Sequence, residues 1–89
     1  MKIKQNPHDD VMVLELSGKI MGGPDFDKFK GEISEVVEGG FKKVILDLSG
    51  VPWINSTGLG ILITGYHHIK AAEGTIMISN VKERVLSIF

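Results

Sequence analysis

The chain has 89 residues, of which 43% are hydrophobic and 24% charged, and it contains no cysteine. This composition is too apolar for a disordered chain, and the length predicts one small domain over residues 1–89. Ten basic and eleven acidic side chains give a formal net charge of −1, which does not favour nucleic acid as a partner. The lack of cysteine excludes disulfides, a thiol nucleophile and thiolate metal sites. No apolar run reaches the roughly 18–20 residues that span a bilayer, so we expect a cytoplasmic domain without membrane insertion.

The beginning of the chain predicts a β-hairpin. Residues 11–16 form an apolar, β-rich run that ends at Ser17 and Gly18. Residues 2–4 alternate between polar and apolar, as expected of a short edge strand. The stretch between them, residues 6–10, consists of turn-forming types, so the two strands are expected to be antiparallel neighbours.

A helix is predicted after the sequence Gly-Gly-Pro-Asp at residues 22–25. Proline is favoured at the first helical position, and Asp25 and Asp27 suit the positive end of the helix dipole. Apolar residues recur at helical spacing on one face, namely Phe26, Phe29, Ile33, Val36 and Val37. The glycine pair at residues 39–40 ends this helix.

Two further strands alternate with two further helices. Residues 44–48 are almost continuously apolar, which is typical of a central strand covered on both faces. After a loop at residues 49–55, Ser56 or Thr57 is expected to cap a second helix that ends at Gly74. Residues 75–79 form the next strand, and residues 80–89 have the capping and apolar pattern of a last helix. The chain stops within that pattern, so we expect a truncated C-terminus.

The order β-β-α-β-α-β-α predicts an α/β fold. Strands joined through a helix are parallel when the crossover is right-handed, whereas the hairpin strands are antiparallel. We therefore expect a mixed four-stranded sheet flanked by helices. The expected core between sheet and helices comprises Phe29, Ile33, Ile45, Leu46, Leu62 and Ile63.

The most informative stretch is DLSGVPWINSTGLG at residues 47–60. It leaves the carboxyl end of a central strand and enters a helix N-terminus, the edge at which open α/β sheets bind ligands. The free N–H groups of a helix N-terminus favour an anion. Judged by local chemistry alone, one of the two hydroxyls, Ser56 or Thr57, caps the helix.

This stretch resembles the signature of STAS domains, specifically those of bacterial anti-sigma factor antagonists. LSGKI at residues 16–20 and VKERVL at residues 81–86 resemble other parts of the same family, so the likeness covers most of the chain. The resemblance implies a STAS-like fold and a function as a protein-binding regulator of sigma-factor-dependent transcription.

The resemblance also implies a partner and a switch. In this family the unmodified antagonist binds an anti-sigma factor that is a Ser/Thr kinase of the GHKL ATPase type, which releases the sigma factor. Phosphorylation at the second hydroxyl of the motif, here Thr57, separates the complex. The residues expected to contact the partner are Met21, Gly22, Trp53, Asn55, Ser56, Thr57 and Gly58. Trp53 is either a core plug or an exposed contact.

Two positions depart from the family pattern, and other functions remain open. Asn55 stands where the family has an aspartate, and Met21-Gly22-Gly23 lacks the acidic residue usual in that loop. The alternative is a constitutive STAS module of a transporter or lipid-transport assembly, without a switch. A homodimer is compatible with either function.

Nothing in the sequence predicts an enzyme, a cofactor or a metal site. A nucleophile needs a neighbouring base, and no histidine is placed near the two hydroxyls. His67 and His68 are adjacent on a helix and point about 100° apart, so they do not share a metal ion. With His8 as the third histidine, a zinc site is not expected.

Overall fold

The computed structural model describes residues 1–20 and 22–81. Four strands and two helices follow one another in the order β1 (Lys2–His8), β2 (Val11–Ser17), α1 (Pro24–Glu38), β3 (Lys43–Gly50), α2 (Ser56–Ala71) and β4 (Thr75–Ser79). The strands form one sheet in the order β1-β2-β3-β4, antiparallel between β1 and β2 and parallel elsewhere. This confirms the mixed four-stranded α/β fold. The predicted last helix lies outside the described residues.

The hairpin at the start of the chain is longer and tighter than its sequence predicts. β1 continues through Pro7 to His8, which pairs with Val11, so that only Asp9 and Asp10 form the turn. Pro7 is tolerated because β1 is an edge strand, where a missing N–H donor removes no bond to a further strand. Asp9 adopts a φ of 54°, a conformation that aspartate accepts more readily than most residues.

The hydrophobic core lies between one face of the sheet and both helices. Alternate residues of the two central strands are buried, namely Met12, Leu14, Leu16, Val44, Leu46 and Leu48. The helices contribute Phe29, Ile33, Val36, Ile61, Leu62 and Ile69 to the same cluster. Since side chains of a strand alternate between faces, the residues between the buried ones point to the opposite side of the sheet.

Two of the residues predicted to be in this core are not in it. Ile45 is half-buried and lies on the opposite face of β3 from Leu46. Ile63 is 48% exposed, because it lies about 100° around α2 from the buried Leu62. The prediction that β3 is covered on both faces is therefore wrong for the described residues, since α1 and α2 pack on the same face of the sheet.

The carboxyl end of β3 is tied to the end of β4. One oxygen of the Asp47 carboxylate accepts hydrogen bonds from the Ser49 backbone N–H, at 2.9 Å, and from the Asn80 side-chain amide, at 3.2 Å. The pKa of Asp47 lies below its ordinary value of 3.8, chiefly because the Ser49 N–H stabilises the ionised form. Asp47 thus holds the beginning of the β3–α2 connection in place.

Replacing Leu46 by alanine should lower the free energy of unfolding by about 2–5 kcal/mol, because the change leaves a cavity in the closed core. Ile45 provides the matched control on the same strand, and Ile45→Ala should cost about 1 kcal/mol in dilute solution. Urea denaturation measures both values. Equal losses for the two variants would contradict the one-sided core.

Asp47→Asn keeps the shape of the side chain but removes its charge, and it should lower the free energy of unfolding at neutral pH by under about 1 kcal/mol. Because the folded-state pKa is below 3.8, the stabilisation by Asp47 is present above that pH and is lost as pH falls through the folded-state value. Urea denaturation from neutral to strongly acidic pH tests this, with the exposed Asp10→Asn as control. If the parent and Asp47→Asn still differ by the same free energy of unfolding in strong acid, the ionised Asp47 carboxylate is not the source of the stabilisation.

Candidate functional site

Two connections meet at the carboxyl edge of the sheet. The segment after β2 lies alongside the β3–α2 connection, where the Gly18 N–H donates to the Gly50 carbonyl at 2.9 Å and the Ile20 N–H to the Trp53 carbonyl at 3.4 Å. Ile20 and Ile54 also form an isolated parallel bridge, and both side chains are buried. Both connections are therefore anchored to the core and to each other. Together they fix the position at which α2 begins.

Asn55 is the N-cap of α2. Its backbone is extended, and its side-chain Oδ1 accepts a hydrogen bond from the Gly58 N–H at 2.7 Å. The prediction that Ser56 or Thr57 caps this helix is therefore wrong, because asparagine is an equally good cap and precedes them. The two hydroxyls occupy the first two helical positions. Within residues 1–20 and 22–81, neither hydroxyl makes a hydrogen bond.

Gly58 lets the first turn of α2 lie directly on the backbone that follows β2. It is buried, and a Cβ at this position would collide with the carbonyl oxygen of Ile20. Although we predicted that Gly58 contacts the partner, its position shows a packing role inside the domain. Sequence reasoning did not identify Ile20 as the other half of this contact, since its contribution is a backbone carbonyl that no motif encodes.

Thr57 packs its methyl group against the loop after β2. Gly22 has a φ of 121°, and a Cβ on it would lie 2.6 Å from Thr57 Cγ2. Glycine at position 22 therefore provides space for the methyl group that distinguishes threonine from serine. Thr57 is nevertheless an exposed residue.

The structure brings most of the predicted partner-contact residues together. We use the name α2-entrance surface for the exposed parts of Gly22, Trp53, Asn55, Ser56 and Thr57. Trp53 is 41% exposed, which decides in favour of a surface position over a core plug. Met21 lies outside the described residues.

The electrostatics of the α2-entrance surface favour an anion. The first turn of α2 contains no acidic residue, and its cap is a neutral amide. The positive end of the helix dipole and the outward N–H groups of the first turn stabilise a negative charge placed at this end. A phosphate on Thr57 therefore meets no carboxylate on its own helix turn.

Residues 1–20 and 22–81 hold no cluster of three or more side chains suited to a metal ion. Neither α1 nor α2 is long and apolar enough to cross a bilayer.

This chain is similar to proteins described as anti-sigma factor antagonists and to a sulfate transporter family protein. BtrV of Bordetella bronchiseptica, a proposed anti-sigma factor antagonist, is 22% identical over 89 residues, which are 100% of this chain and 76% of BtrV. The anti-sigma factor antagonist SpoIIAA in its unphosphorylated form has a TM-score of 0.78 at 16% identity, over 99% of this chain and 81% of SpoIIAA. The phosphorylated form of Bacillus SpoIIAA gives a TM-score of 0.74 at 16% identity, over 99% and 80% of the two chains.

A sulfate transporter family protein from Wolinella succinogenes is 26% identical with a TM-score of 0.77, over 91% of this chain and 65% of that protein. The shared architecture is thus found in proteins of different function. The sequence pattern of the STAS domain matches residues 2–89, almost the whole chain. With the mixed sheet and the α2-entrance surface in place, this chain belongs to the STAS domain family.

Proposed function

We propose that this domain is an anti-sigma factor antagonist, which binds an anti-sigma factor through the α2-entrance surface and is released when Thr57 is phosphorylated. The observation that carries this proposal is an exposed threonine, Thr57, at the second position of α2. Because Asn55 caps the helix, the Thr57 hydroxyl is not needed as the N-cap and makes no hydrogen bond within the described residues. It is therefore available for modification.

The unmodified α2-entrance surface is suited to packing against a protein. It combines a neutral amide, two small hydroxyls and the exposed ring of Trp53. Neutral groups of this kind are desolvated at low cost, and tryptophan is enriched among the residues that dominate binding energy. An anti-sigma factor that covers this surface would bury Trp53 together with the Thr57 hydroxyl.

A phosphate at Thr57 would act on the partner more than on the domain. It adds a charge of about −1.5 to −2 at neutral pH. The N-terminus of α2 stabilises this charge, so the domain stays folded. A partner surface that fits a neutral hydroxyl must instead bury an unpaired anion, which is strongly unfavourable.

The partner proposed here is both anti-sigma factor and Ser/Thr kinase, of the GHKL ATPase type. It would transfer the γ-phosphoryl group of ATP to Thr57 Oγ1, with ADP as the leaving group and the hydroxyl proton released. The domain supplies the acceptor and no catalytic residue. Support comes from BtrV and SpoIIAA, both named as anti-sigma factor antagonists, and from the existence of SpoIIAA in a phosphorylated form. Sigma-factor control takes place in the cytoplasm, which is the location we propose.

A second candidate function is a constitutive STAS module of a transporter or lipid-transport assembly. The similarity to the Wolinella succinogenes sulfate transporter family protein favours this alternative. Such a module would also use its surface to bind a protein, but the charge at position 57 would not regulate it. The two functions therefore differ in their response to modification of Thr57.

Thr57→Glu should weaken binding to the anti-sigma factor by at least about a hundredfold, which corresponds to about 2.8 kcal/mol, because the interface would bury an unpaired carboxylate. Thr57→Ser and Thr57→Ala should bind within a few-fold of the parent. Calorimetric titration of a GHKL-type anti-sigma factor from the same genome measures these affinities. Circular dichroism verifies folding of each variant.

Thr75→Glu is the matched control for this titration. It adds the same charge at an exposed threonine on β4, at the opposite edge of the sheet. Its affinity should equal that of the parent. If Thr57→Glu also binds like the parent, the proposal of a phosphorylation switch at Thr57 is wrong and the constitutive STAS module is favoured.

Incubation with the same kinase and ATP should add one phosphate to the parent chain, as measured by intact mass. Ser56→Ala should still be modified, whereas Thr57→Ala should not, because the acceptor is the second hydroxyl of α2. Modification that persists in Thr57→Ala and disappears in Ser56→Ala would assign the acceptor to the neighbouring residue.

A further inference from the structure

The sheet has a second face that neither helix covers. On this face, Val13 pairs with Ile45, and Ile45 pairs with Met77, so the three side chains form a straight apolar row across β2, β3 and β4. The core residues of these strands point to the other side. We use the name open face for this row and its neighbours Val11, Lys43, Asp47 and Thr75. Among residues 1–20 and 22–81, no helix packs on it.

The open face carries apolar side chains that the core does not bury. Met77 is 61% exposed, and Val13 and Ile45 are half-buried. A shallow depression of about 280 Å³ lies between Val11, Lys43, Ile45, Thr75 and Met77. Contiguous exposed apolar surface of this kind marks interaction sites in soluble proteins.

Opposite charges lie at the two ends of the open face. On β3, Lys43 precedes Ile45 by two residues and Asp47 follows it by two, so opposite charges stand at equal distances on either side of the row. Lys43 is 62% exposed and has only a loose pair with Asp10, at 3.6 Å. At the acidic end, Glu15 faces Lys4 across the β1–β2 pair and accepts a hydrogen bond from Asn6. Asp47 accepts hydrogen bonds from Ser49 and Asn80, but its register partners are Glu15 and Ser79, so no cation of the sheet stands opposite it.

We propose that the open face is the interface of a homodimer, in which two copies stack face to face with their strands reversed. The twofold axis runs between the two sheets and across the strands, near Ile45. In this arrangement Lys43 of each copy faces Asp47 of the other, and the two apolar rows pack together. Aligning the strands in the same direction would instead place lysine against lysine, and so like charges select the reversed arrangement.

The geometry suits two sheets of this size. Face-to-face sheets pack about 10 Å apart with their strand directions within about 30°, which keeps β3 of one copy over β3 of the other. Three strands of about five residues present less surface than the roughly 800 Å² per partner of a standard interface. The dimer is therefore weak and concentration-dependent. The helices and the start of α2 lie on the other side, so dimerisation leaves the α2-entrance surface accessible.

Sedimentation velocity of the full 89-residue chain over a dilution series tests the proposal. The parent should shift from monomer to dimer as concentration rises. Lys43→Glu and Asp47→Lys should each raise the dimer dissociation constant at least about tenfold, because each places like charges together. An equimolar mixture of these two variants should recover the dimer, since both interfacial pairs again have opposite charges.

Two further variants separate the interface from general effects. Ile45→Thr keeps a β-branched residue but makes the centre of the row polar, and it should also weaken the dimer without touching the Asp47 hydrogen bonds. Lys19→Glu makes the same charge change as Lys43→Glu on the exposed segment after β2, and it should leave the dimer unchanged. Circular dichroism verifies that every variant is folded.

Three results would overturn the proposal. The first is a parent that stays monomeric at all concentrations. The second is dimerisation that Lys43→Glu and Ile45→Thr leave unaffected. The third is failure of the mixed charge variants to associate when both are folded.

Discussion

The contact between Gly58 and the carbonyl of Ile20 determines how the functional end of this domain is built. It seats the first turn of α2 on the backbone that leaves β2, at a distance that no side chain at position 58 would permit. The same contact places the Thr57 methyl group against Gly22, while Thr57 as a residue remains exposed. The position of this exposed threonine therefore follows from a close backbone contact between two connections distant in sequence.

At the start of α2, capping the helix and presenting a hydroxyl fall to different residues. Asn55 satisfies the Gly58 N–H, so neither Ser56 nor Thr57 is needed to stabilise the helix end. A phosphate on Thr57 would therefore leave the cap intact and add a charge where the helix dipole favours it. Asn55 replaces the aspartate of the family pattern without loss of capping, and its neutral amide does not repel such a phosphate.

The placement of both helices on one face gives the domain two independent surfaces. The carboxyl edge of the sheet presents the α2-entrance surface, and the reverse side presents the open face with its apolar row. Asp47 lies between them, because its carboxylate holds the β3–α2 connection while its strand position puts it at the end of the open face. The two surfaces therefore share no residue.

The sequence by itself determined the order of elements, the mixed sheet, the alternation that forms the core and the place of Thr57 near a helix start. These features follow from local signals, such as the periodicity of apolar residues and the glycines and proline at the ends of elements. The tertiary structure alone decided that Ile45 and Ile63 are outside the core, that Asn55 is the cap and that Gly58 lies on Ile20. The apolar run at residues 44–48 predicts a strand, but it does not say which face of that strand is covered. The covered face depends on where distant helices pack, and no local periodicity encodes that.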